Sequence, residues 1–263
     1  MIRKISSIGT IGLLILSVFV GLDIVPVLNV KATGEPYELW NGNPTDGILG
    51  TDGDWVVDSD QVYSSQLGHY KIVVNGDLTI SPGFTLELYN VSLEMASTSD
   101  GEFGITVQSD PTQGGTLIVS DLDNDPSTTY DASKITSYTS TGNYRFGFIV
   151  EGPNGDLQMN NSELHYCGWD FTEAIKYQDS GLCIGTTNIT FHDNNVSNCY
   201  NGITIYGATN ITIDDNEFYQ NHQGLFFNSS SNVVVTNNEI NDQNTYGAAF
   251  ENVSGIKFNY NNL

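Results

Sequence analysis

Basic residues are scarce in this chain. Eight Lys and Arg stand against 31 Asp and Glu among 263 residues, a formal charge of −23. A surface of that sign repels nucleic acid and anionic membranes. It suits a salty exterior, cation binding or plain solubility. Cysteine is rarer still, with three residues. Together with His165 and His192 they match no zinc-ligand spacing, so no metal centre is expected from them. Beyond the N-terminus no apolar run is long enough to cross a bilayer.

The N-terminus itself, Met1–Ala32, reads as an export signal. Arg3 and Lys4 give it a basic start. Ile11–Leu22 is mostly apolar but short for a span, and Val30-Lys31-Ala32 offers a small-residue cleavage site. An uncleaved anchor is the alternative. The expected address is therefore secreted or cell-surface. Residues 33–72, rich in Gly, Asp and Thr with Trp40, Trp55 and Tyr63, are expected to form an arm and cap, with Trp55-Val56-Val57 as its strand. A bare parallel edge is an aggregation template and needs such cover.

What the chain has in quantity is a repeat. Ile189, Ile211, Val233 and Ile256 open units spaced 22, 22 and 23 residues apart. That period is too short for a helix pair and too long for a hairpin, and it suits one coil of a solenoid. With these residues as position 0, position 2 holds Phe191, Ile213, Val235 and Phe258. Position 7 holds Val196, Phe218, Ile240 and Leu263. A second apolar pair follows a glycine in Gly202–Ile205, Gly224–Phe227 and Gly247–Phe250. Period-two spacing makes each pair a short strand with one face inward. Asn, Asp and Gly between them mark turns. Upstream, Leu86, Leu88 and Leu93 fit the same grammar, followed by Gly104–Val107. So do Leu117 and Val119 with Gly147–Val150. Leu157, Met159 and Leu164 follow, with Gly181–Ile184 reached across an insertion around Trp169–Ser180. The solenoid is thus expected over 73–263. Leu263 stops it at position 7 with no polar segment after it, so the C-terminal end is expected to be uncapped. Either the chain is truncated from a longer protein, or further domains or another chain dock there.

Position 5 is Asn194, Asn216, Asn238 and Asn261. Stacked amides can donate and accept up such a column; the alternative is that Asn merely tolerates the turn. Position 10 holds Cys167 and Cys199 in consecutive coils. Stacked positions lie about 5 Å apart, within disulfide range, so a Cys167–Cys199 bond is expected in an exported protein, leaving Cys183 over on an outward position. Sequons at Asn90, Asn160, Asn188, Asn195, Asn210, Asn228 and Asn252 make the chain a candidate glycoprotein.

The units Asn188–Val196 with Asn201–Ile205, and Asn210–Phe218 with Gln223–Phe227, resemble right-handed parallel β-helix repeats of the NosD-like and pectate-lyase-like superfamily. The resemblance is clear over 154–263 and weaker back to 73. The block Asp54–Val57, Asn75–Ile80 and Thr85–Leu88 is similar to the starts of secreted archaeal β-helix proteins. The resemblance implies an all-β, single-stranded right-handed parallel β-helix. It does not choose an activity, because the superfamily includes polysaccharide lyases, hydrolases, epimerases, adhesins and a periplasmic factor for copper-site assembly.

Three readings follow. As an enzyme, the chain would use the stacked acids Asp193, Asp214, Asp215 and Glu217 as acid and base, or those acids would hold calcium. The Gly-His-Gly and Arg-x-Lys motifs of polygalacturonase-type members and the epimerase Asp-Pro-His-Asp signature are absent, and a lyase would need a basic residue near the acids. Past the signal only Lys71, Lys134, Arg145, Lys176 and Lys257 remain. As a structural or carbohydrate-binding module, it would present Tyr200, Tyr219, His222, Phe226 and Tyr246 to polysaccharide or cell-envelope glycans, since exposed aromatics stack on sugar rings. The alternative is that these aromatics stack between coils. As a NosD-like metal-handling protein, it would need ligands that Met95, Met159, His69, His165, His192 and His222 supply only in scattered form. The exported module without catalysis, and with no cofactor beyond calcium, is the expectation taken forward.

Overall fold

The computed structural model describes residues 38–40, 53–64, 70–123, 131–138, 142–169 and 180–263. The expected signal Met1–Ala32, much of the arm and cap, and residues 170–179 of the insertion lie outside the described residues. All that follows concerns the compact unit Lys31–Leu263.

The described residues form strands and turns without a helix. No helix among them is long and apolar enough to cross a membrane. Three eight-stranded sheets run side by side, and each coil gives one strand to each. In the sixth coil these are Asn195–Ser197 in sheet 1, Asn201–Tyr206 in sheet 2 and Thr212–Asp214 in sheet 3. Every strand pairs in parallel with its equivalents in the coils before and after. The protein is an all-β parallel solenoid.

The registers stack like on like. In sheet 3, Leu86, Leu117, Leu157 and Ile189 are partners in turn. In sheet 1 the column is Leu93, Ile135, Leu164, Val196, Phe218 and Ile240. In sheet 2 it is Ile105, Phe148, Leu182, Ile203 and Leu225. These residues belong to one apolar core that runs through the coils, most of them fully buried. Each buried Leu, Ile or Phe contributes roughly 1.5–3 kcal/mol of hydrophobic stabilisation.

Spacing alone resolves two strands per coil; the structure has three. The strand around position 7 is three residues long, as in Glu217–Tyr219, with Phe218 alone facing inward. One inward residue leaves no alternation to read. Trp55–Val57, expected as a cap strand, is the outermost strand of sheet 2 and pairs with Leu78–Ile80.

The corners explain the polar residues. Position 4 is left-handed in coil after coil: Asn90, Asn161, Asp193, Asp215 and Asn237 all have φ between 48° and 57°. Asn and Asp tolerate that region better than other side-chain-bearing residues. Sheet 2 opens instead on stacked glycines that need room rather than a positive φ. A Cβ on Gly224 would sit 2.5 Å from the Gly247 carbonyl oxygen and 2.7 Å from Ile240 Cγ2.

Candidate functional site

Two polar corners flank sheet 1, and each is built on a column of side chains. At position 5, Asn194 N and Nδ2 donate to Asn216 Oδ1 (3.0 and 3.1 Å). Asn216 donates likewise to Asn238 (2.9 and 3.1 Å), and Asn238 to Asn261 (2.9 Å each). Each Nδ2 also reaches a position-2 carbonyl of the coil before: Met159, Phe191, Ile213 or Val235. The ladder starts earlier than its asparagines. Ser162 N donates to Asn194 Oδ1 (3.1 Å). Ser133 holds the same station one coil before Ser162: its Oγ lies 3.1 Å from the Leu88 carbonyl and accepts from Val91 N (3.2 Å). Sequence reasoning missed both serines, because an insertion displaces Ser133 and a hydroxyl breaks the Asn pattern.

The second column, at position 10, corrects the expected disulfide. Cys167 and Cys199 are both free and fully buried. Cys167 N points at Cys199 Sγ (3.4 Å), Cys199 N donates to Asn221 Oδ1 (2.9 Å), and Asn221 N donates to Gln243 Oε1 (3.2 Å). Cys199 Sγ faces the Leu164 and Ser197 carbonyls (3.9 and 3.4 Å) as Gln243 Nε2 faces those of Phe218 and Asn241 (2.8 and 2.6 Å). The thiol does an amide's work here, and a disulfide would take that thiol away. Burial pushes the Cys167 thiol well up and the Cys199 thiol up to about 12, so neither is a ready nucleophile. Cys183, expected on an outward position, is buried as well.

The acid candidates sit on the corner between sheets 3 and 1. His192 and Asp214 are register partners. His192 Nδ1 lies 2.7 Å from Asp193 Oδ2. Asp214 Oδ1 accepts from Thr236 Oγ1 (2.5 Å) and Asn237 Nδ2 (3.2 Å). Glu217 Oε2 accepts from Asn195 Nδ2 (3.0 Å) and stacks on Glu239. Asp215 is exposed. Desolvation first, then the carboxylates of Asp214 and Asp193, raise its carboxyl from its ordinary value. Lys257 is two coils from Thr212, the start of the Asp214 strand, so it does not adjoin these acids as a lyase's base would.

A triad-like relay escaped the sequence reading. His165 lies between Glu163 (Nε2 to Oε2, 3.0 Å) and Ser197 (Nδ1 to Oγ, 2.6 Å), and Lys134 Nζ is 2.5 Å from the same Glu163 oxygen. The His165 hydrogen bond, then Lys134, hold the Glu163 carboxyl down to about 2 against partial burial. Ser197 is wholly buried, so no substrate reaches its hydroxyl and the relay ties coils together.

The aromatic candidates straddle the corner between sheets 1 and 2. Tyr200 and His222 stack, centroids 4.5 Å apart and planes 19° from parallel. Tyr246 is 61% exposed in the next coil, and Tyr219 is half-buried on the outer face of sheet 1. Phe226 does not join them. It lies outward in its strand but is 9% exposed, and the two residues before it in its column, Thr204 and then Cys183, are buried too. Ser180 Oγ sits 2.9 Å from Thr204 Oγ1 on that face. Alternation gave the direction of Phe226 and said nothing of what covers it. Among the sequons, Asn90 and Asn228 are buried and Asn210 and Asn252 exposed.

A family model described as a right handed beta helix region matches residues 129–263, just over half of the chain. The chain belongs to the right-handed β-helix family. Searches of curated proteins and of solved structures return no match. The β-helix motif therefore settles the handed fold and leaves the activity to the surface. Among the described residues the one grouping able to hold a metal is Asp121, Asp123 and Asp131. These are hard oxygen donors, unsuited to the copper handling that a NosD-like reading requires.

Proposed function

We propose that this β-helix is an exported module that binds glycan chains on the ridge between sheets 1 and 2. The observation that carries it is Tyr246, 61% exposed on this ridge one coil on from His222. Tyr200 and His222 stack on each other between coils, the alternative expected of them, and cover one face of each ring. The open ring is Tyr246, in register with Gln223 one residue past His222, and sugar rings pack on such aromatic faces. Asn195, Glu217, Glu239 and Asn241 lie on the adjoining outer face of sheet 1 and supply hydroxyl partners. With acids on that face and a charge of −23, neutral or amino-substituted sugars fit better than uronate chains, which the carboxylates repel. The basic start and apolar run of Met1–Ala32 support export and a cell-surface or extracellular setting.

Affinity electrophoresis and calorimetry against neutral, amino-substituted and acidic polysaccharides test this. Tyr246→Ala and His222→Ala should each weaken binding at least tenfold without changing the unfolding temperature by more than a few degrees. Unchanged affinity in both would remove the ridge as the site.

One observation favours a second reading, a polysaccharide-active enzyme: the raised carboxyl of Asp215 beside Asp214 and Asp193 is the kind of pair that can divide acid and base roles. Turnover lost in Asp215→Asn, with binding kept, would put this reading first.

A further inference from the structure

The insertion in the third coil is where the corner chemistry changes. In the regular coils position 4 leads straight to position 5. After Leu117 and Val119, position 4 is Asp121, and the position-5 station is reached only at Ser133. Both ends of this detour are pinned. Asp121 Oδ1 accepts from Ser120 Oγ (3.2 Å) and Asn161 Nδ2 (3.4 Å). Ser133 Oγ is 2.5 Å from the Ser120 carbonyl. The detour brings Asp121, Asp123 and Asp131 together, with one carboxylate oxygen of each within 4.8 Å of the others.

Three carboxylates so close repel one another, and two of them are hidden from water: Asp121 is 2% exposed and Asp131 5%. Asp131 Oδ1 is buried with no hydrogen-bond donor, and none of the ion pairs among the described residues includes it. A buried, undonated carboxylate oxygen is costly unless a cation meets it. Asn160, the register partner of Ser120, likewise holds a buried Oδ1 without a donor. No glycan contact, ladder bond or coil-packing role described above uses these oxygens.

We propose that Asp121, Asp123 and Asp131 bind a calcium ion, with Asn160 the neighbouring amide oxygen. An all-oxygen set excludes soft metals. Calcium accepts the irregular arrangement of carboxylates and an amide oxygen that a fold brings together, whereas magnesium demands near-ideal octahedral geometry and dehydrates reluctantly. The exposed Asp123 leaves an edge for water ligands and for entry of the ion. The two aspartates Asp121 and Asp123 alternate in sequence as calcium-loop ligands do; Asp131 joins them only through the fold.

The test is calorimetric titration of the chelator-stripped full chain with calcium and with magnesium, paired with thermal unfolding. The expected result is one calcium site, weaker or undetectable for magnesium, and an unfolding temperature that rises with calcium. Asp131→Asn should weaken calcium at least tenfold and abolish that rise. If Asp131→Asn does not fold, Asp123→Asn, an exposed change, should show the same loss. Calcium without effect on the wild-type chain would overturn the proposal, as would wild-type affinity in Asp123→Asn or Asp131→Asn. Asp214→Asn is the control: an equal loss there would mean diffuse attraction to the acidic surface. Glycan binding by Asp123→Asn separates this site from the aromatic ridge, because each can fail while the other stands.

Discussion

The second and third coils and the last three solve the same problem differently. In both, the chain turns from sheet 3 into sheet 1 and leaves the position-5 N–H to be satisfied. From Asn194 onward the next coil's asparagine accepts it, and the same amide donates to two carbonyls. At Val91 the acceptor is Ser133 Oγ, which arrives by a detour in the next coil. Backbone groups buried at a corner must be paired, and the means of pairing decides what else can be there. An amide ladder runs without interruption and holds coil length near 22 residues. A serine at the end of an insertion frees the intervening segment to vary, and that is where the aspartate cluster sits.

Mutations can break this contrast or sharpen it. The largest effect is expected in the ladder. Asn216→Ala strands the Asn194 N–H and the Phe191 and Asp214 carbonyls and should cost about 3 kcal/mol by urea unfolding, since each unsatisfied buried group costs about 1–3. Ser162→Ala removes one bond, to the Asn160 carbonyl, and should cost about 1 kcal/mol. Equal costs would mean that the two halves are not held differently. Next is Gly224→Ala, expected to cost about 2 kcal/mol because its methyl would meet the Gly247 carbonyl, which cannot yield without moving the next coil.

Acid should then find the junction between the halves. The folded carboxyl of Glu163 is held at about 2, below its ordinary 4.5. Its contribution is therefore fully present above pH 4.5 and is lost as the pH falls towards 2. Glu163→Gln should unfold with a shallower pH dependence in that window than the parent chain. The smallest effect is expected for Cys199→Asn, which substitutes an amide into the position-10 column above Asn221. Stability should change by less than about 1 kcal/mol, and a greater loss would show that the sulfur packs in a way no amide can.

The solenoid was legible because three of its signals repeat: the inward pairs, the position-5 asparagines and the glycines before sheet 2. The third strand was not, since Phe218 is the one inward residue of Glu217–Tyr219. The site was harder. Phe226 obeys the alternation rule and is still covered. Cys167 and Cys199 stack as their spacing requires, yet proximity does not distinguish a bond from a hydrogen-bonding column. Glu163, His165 and Ser197 meet through one strand pairing between neighbouring coils. Asp131 meets Asp121 across an insertion. No local pattern marks residues that only the stacking brings together.

The position-5 ladder has a consequence for how such a chain changes length over evolutionary time. Asn194 and Asn216 occupy identical stations, each followed by the first residue of a sheet 1 strand. Excising Asn195–Asn216 would join Asn194 directly to Glu217 and bring Asn238 under it, with every amide again facing an amide. Whole turns can thus be gained or lost as single recombination events, while a gain or loss of one residue within a turn puts a mismatch into the column. Growth by complete modules is the inheritance mode this architecture permits most readily.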